Sequence, residues 1–495
     1  MSNPWALPAI VLVTLVTLVI GVYGLRFART TSDFLVASRS VSPTWNAAAI
    51  GGEYLSAASF LGVAGLVLSF GLDVLWYPIG FAAGYLALLL FVAGPLRRSG
   101  AFTLPDFCEL RLGSRRLRRL VTTFVVFIGW LYLLPQLQGA GLTLRTVTGA
   151  PYWVGVLLVS GVVTGGVALG GMRSITFVQA FQYWLKLTAL ALPVAFLLLH
   201  WKADGAPALV SPKSPVGADW LLPGGADHSG QGLFGTYSLL IATFLGTMGL
   251  PHVLVRFYTN PDGRAARRTT LGVLALVGFF YLFPTVYGLL GRIYTPGLSK
   301  PDSVVLVLPG AVVGNGALGQ FLGALVAAGA FAAFLSTSSG LLTSVAGVLS
   351  TDVLGRGSVR DFRLSALVGG LLPCGMALAV ADLDVSRVVG LAFAVAAATF
   401  CPLLLLGIWW RGLTDVGAAA GMLCGGGSAA GAVILTVLGY AGHGWLAVLI
   451  TQPAAWTVPL AFLVMITVSL ATRRRVPPTV GRTLLRLHAP DALRL

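Results

Sequence analysis

"AAAIGGEYLSAAS", residues 47–59, is the stretch on which the fold turns. It lies in a long apolar run between "SVSPTWN" and "FLGVAGLVLSFG", and it sets two glycines and an acid, Glu53, near the middle of a segment long enough to cross a bilayer. A charged side chain at that depth costs about 3 kcal/mol even on lenient insertion scales. Each glycine inside a helix costs about 1 kcal/mol relative to alanine. Gly51 and Gly52 would let the helix unwind, and freed carbonyls beside a carboxylate make a hard-oxygen cradle for a small cation. The other reading of Glu53 is structural, with the acid protonated or hydrogen-bonded to a neighbouring helix.

The rest of the chain supplies the membrane context. Its 495 residues are 57% hydrophobic and 10% charged, with mean hydropathy +0.88, more apolar surface than a soluble globule can hide. Apolar segments fall at 5–25, 45–69, 74–96, 120–143, 152–172, 177–200, 235–258, 271–291, 317–350, 364–382, 386–410, 416–440 and 454–472. They are too long and continuous for barrel strands, so the expectation is an all-α polytopic membrane protein with about thirteen transmembrane helices. The opening "MSNPWALPAIVLVTLVTLVIG" has no basic leader and no small-x-small cleavage site, and reads as a retained first helix rather than a signal peptide.

A net charge of +16 would suit nucleic acid, but its distribution argues against that partner. The arginines cluster in short loops at 97–119, 263–268, 355–363 and 472–476, alternating with loops nearly free of Lys and Arg. This is the positive-inside pattern. It places the N-terminus outside, the C-terminus in the cytoplasm and roughly 25 of the basic residues inside. Lys186, in "FQYWLKL", is expected near enough to the inner face to snorkel, with no further role. The four cysteines show no metal or redox spacing and read as small core residues.

A second interruption falls in the seventh span, "LLIATFLGTMGLPHVLVRFYT", with Gly246, Gly249 and Pro251 in mid-span. Two broken helices five spans apart point to inverted repeats. The expected organisation is an extra N-terminal helix at 1–30 and a transport core at 31–411, with repeats at about 45–200 and 235–410. Two C-terminal helices at 412–475 and a cytoplasmic tail at 476–495 follow. Gly/Pro-rich loops at 201–232 and 292–316 are expected over the outer face.

Other polar groups stand out inside the spans. The ninth reads "AAGAFAAFLSTSSGLLTSVAGVLSTDV", with four hydroxyls at Ser336–Ser339. Ser and Thr often serve as helix–helix glue, but four in a row cannot face one neighbour. The fourth carries Gln136 and Gln138 beside small residues, suited either to interhelical hydrogen bonds or to solute contact. No nucleophile–base pair or metal cluster falls in the spans, so neither an enzyme nor a cofactor is expected.

These segments together resemble the sodium/solute symporter family, and within it the cation/acetate (monocarboxylate) branch. The matching stretches are "SDFLVASRSVSP" (32–43), "GGEYLSAASFLGVAG" (51–65), "YLLPQLQGAG" (132–141), "GLPHVLVRFYTNPDGRAARR" (249–268), "LSTSSGLLTSVAGVLSTDVL" (335–354) and "GLAFAVAAATFCPLLLLGIWW" (390–410). The resemblance implies a LeuT-type fold of two five-helix inverted repeats and uptake driven by an ion gradient. It implies a Na+ site on the carbonyls of Gly52, Leu55 and Ala333 and the hydroxyls of Ser336 and Thr337. Some acetate-type relatives lack these hydroxyls, so their presence favours Na+ over H+. The branch usually has Asp where Glu53 stands. Where sodium/sugar members carry an Asp linked to a further cation site, this chain has Thr176, which argues against an additional site.

The expected function is import of a short monocarboxylate, such as acetate, propionate or pyruvate, across the plasma membrane. Glu53, Tyr54, Ser56, Gln136, Gln138, Thr247 and Met248 are the candidates for substrate contact or coupling. A bare Glu53 would repel an anionic solute, and neutralisation by the coupling cation is the favoured way out. Alternatives are H+ coupling, a sugar or amino acid solute, and a transporter-like sensor. The last is disfavoured by a tail too short to hold a regulatory domain.

Overall fold

A computed structural model describes residues 3–25, 33, 36–208, 220, 230–314, 316–355, 358–379, 385–440 and 442–491. Most of the loop expected over the outer face at 201–232 lies outside these residues, as does the last part of the tail. Among the described residues eleven helices are long and apolar enough to cross a membrane. The labels used below are α1 (Ala6–Leu25), α2 (Pro43–Tyr54), α3 (Val63–Phe70), α4 (Trp76–Ala87), α5 (Arg115–Thr148), α6 (Tyr152–Ala203), α7 (Gly230–Gly249), α8 (Pro251–Phe257), α9 (Gly263–Tyr294), α10 (Val304–Val313), α11 (Ala317–Val348), α12 (Val359–Ala379) and α13 (Val385–Trp409). Two further apolar helices, Asp415–Val437 and Ala454–Ala471, pack on each other and on α13.

Two of the eleven stretches are double-length, which is where they differ from the thirteen expected spans. The stretch Ala58–Arg98 turns at Gly71–Leu75, where Gly71 adopts φ 76°. Helix α6 spans 52 residues but reverses at Gly171, with φ 60° and ψ −171°. A left-handed φ of this kind is nearly strain-free only for glycine. The reversal shows in the packing. Gly155 of the first half lies on Ala140 of α5, whereas the second half runs antiparallel to α1, with Ser174 bonded to the Gly21 carbonyl and Gln182 to Thr17.

The centre of the molecule is the pair of broken helices. α2 ends at Tyr54, Leu55 leaves the helical region (φ −74°, ψ 85°), and a π-turn at Ala58–Gly62 leads into α3. The break therefore follows Gly51 and Gly52 rather than falling on them, which corrects the expectation that the glycines unwind. Both stay helical because they are contact surfaces. A Cβ on Gly52 would collide with the Gln179 carbonyl of α6, and one on Gly51 would meet the Tyr183 ring. In the seventh span, Leu250 (φ −71°, ψ 114°) separates α7 from α8, and Pro251 opens α8 at its first turn. Gly246 and Gly249 let α7 approach the Phe393 and Ala396 carbonyls of α13.

The arginine-rich loops gather at one end of the bundle and bond to backbone and acids there. Arg118 reaches Asp106 (2.6 Å), Glu109 (2.6 Å) and Asp352 (2.5 Å), and Arg111 donates to the carbonyls of Gly407 and Trp410. The short helix Val480–His488 of the tail docks at the same end, through His488 on the Ile408 carbonyl and Arg98 on Asp491.

Candidate cation and solute site

A broken helix frees backbone groups that must be satisfied inside the protein. Around the first break, side chains from three other helices do this. Lys186 of α6 donates from Nζ to the Gly52 carbonyl (2.5 Å), the Leu55 carbonyl (2.7 Å) and Ser336 Oγ (3.0 Å). Ser336 Oγ in turn donates to the Ala333 carbonyl (3.0 Å). Thr337 Oγ1 donates to the Glu53 carbonyl (2.6 Å), and the Ala57 N–H donates to Gln136 Oε1 (2.9 Å).

The five residues expected to hold Na+ thus do converge, but on an ammonium. Gly52, Leu55 and Ser336 are direct acceptors of Lys186, Ala333 stands behind Ser336, and Thr337 is spent on the backbone of Glu53. An ammonium has three N–H donors, and all three find an oxygen here. The donor set suits a small monovalent cation, and Lys186 already supplies one. A Na+ ion does not fit beside it, because the same oxygens would have to serve both charges. The snorkelling expected of Lys186 is also corrected, since its side chain is fully buried. It stands 15 residues beyond the Gly171 turn, about 22 Å of helix, which is beyond snorkelling reach.

Glu53 is neutralised by a residue that sequence reasoning left out. Arg256 of α8 donates from Nε to Glu53 Oε2 (2.6 Å), from Nη1 to Thr176 Oγ1 (2.8 Å) and from Nη2 to Gln179 Oε1. Both ends of this pair are buried. Gln179 in turn donates to the Ser336 carbonyl (2.8 Å), and Asn46 to the carbonyl of Arg256 (3.1 Å). The favoured neutralisation of Glu53 by a coupling ion is thereby replaced by a guanidinium from the second break. The acid lies over Gly340 of α11, where a Cβ would overlap its carboxyl group.

The remaining candidates are all buried but do not share one role. Tyr54 and Thr247 join across the two repeats through their hydroxyls (2.7 Å). Tyr54 also packs against Phe81, Tyr85 and Phe393, and Phe393 packs against Tyr132, which meets His252 edge-on. Gln136 accepts from the Ala57 N–H at the start of the helix after the first break. Ser56, Gln138 and Met248 are buried, Ser56 beside the Tyr132 hydroxyl. His252, two residues after the Leu250 break, is buried with neither ring nitrogen hydrogen-bonded. Its place in "GLPHVLVRF" was the available signal. The other hydroxyls of the ninth span divide: Ser339 bonds back to the Leu335 carbonyl, while Ser338 is buried with no partner.

Comparison with known proteins agrees with this architecture. The model of the sodium:solute symporter family matches residues 34–425. An uncharacterized symporter of Bacillus subtilis (strain 168), YwcA, is 31% identical over 426 residues, 83% of this chain and 82% of its own length. Among solved structures, a substrate-bound, outward-open Na+-coupled sialic acid symporter is similar with TM-score 0.71 at 16% identity, over 94% of this chain and 98% of that one. Mhp1, a nucleobase-cation-symport-1 family transporter in a closed conformation with bromovinylhydantoin bound, gives TM-score 0.57 at 14% identity, over 92% and 98%. These neighbours are LeuT-fold transporters, and the all-helical fold expected from the two broken helices is the fold of this chain.

Proposed function

The chain belongs to the sodium:solute symporter family, and from that premise we propose that it is a secondary active symporter importing a short monocarboxylate, acetate, propionate or pyruvate, with the energy of a cation gradient. It sits in the plasma membrane with its arginine-rich end and C-terminus in the cytoplasm and its N-terminus outside. The transport core is 31–411, and the helices before and after it are peripheral. Its partners are the small organic anion, a coupling Na+ or H+ and the lipid bilayer.

One observation carries the cation-coupled reading: three oxygens from the first break and α11 close around a single positive charge. Such a seat ties the break to α11 only while it is filled, which is what coupling requires. For the solute, the support is the aromatic group between the breaks, Tyr54, Tyr85, Tyr132, His252 and Phe393. The Tyr85 hydroxyl and the His252 ring nitrogens in it have no hydrogen-bond partner of their own and can donate to a carboxylate. Glu53 does not repel an anion there, because Arg256 balances it. A sugar or amino acid solute has no comparable support, and a sensor role is disfavoured because the tail helix is occupied in docking to the core.

The family points to Na+ as the driving ion, whereas the position of Lys186 favours H+. Uptake of labelled acetate, propionate and pyruvate into proteoliposomes, with Na+ and H+ gradients imposed separately, tests both solute and ion. Accumulation of one of the three acids above the level of empty liposomes supports the reading. Accumulation of only a sugar or amino acid overturns it.

A further inference from the structure

The symporter reading requires a cation at the first break, and the following rests on it. We propose that Lys186 is a built-in replacement for a bound cation: its ammonium fills the seat at the first break, so that this seat takes up no Na+.

Two observations converge on this. The first is occupancy. Lys186 Nζ bonds to Gly52 O, Leu55 O and Ser336 Oγ, the oxygens that would otherwise hold the ion. The second is charge. Glu53 is paired with Arg256, whose guanidinium stays charged under all physiological conditions, so that pair is closed. Lys186 is then the one uncompensated positive charge of this group, with neutral oxygens as its direct partners.

The charged groups facing Lys186 are few. Glu53 comes from α2, with Arg256 of α8 behind it. From α11 only the hydroxyls of Ser336 and Thr337 face this site. α1 and α10 contain no acid, lysine, arginine or histidine, and Tyr23 of α1 lies near its end. The charged residues of α5, α9 and α12 lie toward their ends: Arg115–Arg119 and Arg145, Arg264–Arg268 and Arg292, and Arg360–Arg363. Tyr132 of α5 belongs to the aromatic group, and Tyr281 of α9 stacks on Phe81 beside it.

The test reads ion binding and transport separately. The purified full-length protein is melted with either Na+ or choline as the monovalent cation, as wild type, Lys186→Ala and Lys186→Met. Wild type is expected to melt at the same temperature in both salts. Lys186→Ala, which empties the seat but keeps its oxygens, is expected to melt several degrees higher in Na+. Lys186→Met, which fills the seat with an uncharged chain, is expected to show no such rise. A Na+-dependent rise in wild type overturns the proposal, whether or not the variants fold.

In proteoliposomes, wild type is expected to gain no pyruvate accumulation from an imposed Na+ gradient, after subtraction of empty liposomes. Accumulation driven by Na+ alone overturns the proposal and leaves the symporter reading standing. If none of acetate, propionate and pyruvate moves under either gradient, the solute reading fails, and the melting comparison still decides the role of Lys186.

Discussion

At the first break, between α2 and α3, the freed carbonyls are held by the ammonium of Lys186 reaching in from α6. At the second, between α7 and α8, Pro251 starts the new helix, and Arg256, one turn later, reaches across to Glu53 beside the first break. One cation binds backbone oxygens and a hydroxyl. The other binds a carboxylate, a threonine and a glutamine. The difference teaches how the labour is divided. A fixed charge with a fixed counter-charge fastens the two broken helices together, and an ammonium with neutral partners fastens the first of them to α11.

The largest expected effect breaks the fixed pair. Glu53→Gln leaves the Arg256 guanidinium buried without a counter-charge, at a cost of about 3–5 kcal/mol. Uptake is expected to be abolished and the melting temperature to fall. Adding Arg256→Gln should restore most of the stability, which a double-mutant cycle measures. Wild-type uptake by Glu53→Gln would remove Glu53 from coupling altogether.

Next comes Gly52→Ala, whose new methyl meets the rigid Gln179 carbonyl. Overpacking of this kind costs about 1–3 kcal/mol. Gly51→Ala meets only a tyrosine ring and should be milder in the same melting assay. If the two were equal, close packing would not explain the glycine pair. Gln136→Ala leaves the Ala57 N–H unpaired at the first break, a loss of about 1–2 kcal/mol. The smallest effect is expected from Thr337→Val, which removes a single hydrogen bond to the Glu53 carbonyl and about 1 kcal/mol. If Thr337→Val instead made uptake depend on a different ion, Thr337 would belong to the cation seat after all.

The helical fold, the two interruptions and the importance of Glu53 were legible because each leaves a local mark: an apolar run of fixed length, a proline or glycine pair, an acid in hydrocarbon. The partners of Glu53 were not. Arg256 lies near the end of its apolar segment and reads as an edge residue until α8 is folded back beside α2. Lys186 lies nine residues into the expected sixth span, too far for the snorkelling assigned to it, so the distance itself was the signal. The glycine pair misled for a physical reason: glycine serves both to bend a helix and to let another backbone approach, and the letters alone do not say which. Among the site candidates, Gly52, Leu55 and Ser336 were brought together as expected, but only the fold could show that a side chain already stood among them.

The reach of Lys186 into the first break also has a kinetic meaning. An ion arriving from solution fills its seat at a rate set by its concentration and must be ordered with respect to the solute. A cation on a side chain has a local concentration fixed by the length of that side chain, so its return to the seat is intramolecular and independent of salt. If Lys186 takes the place of a bound cation, the transport cycle has no ion-diffusion step at the first break, and its rate would be as high in Na+-poor surroundings as in brine.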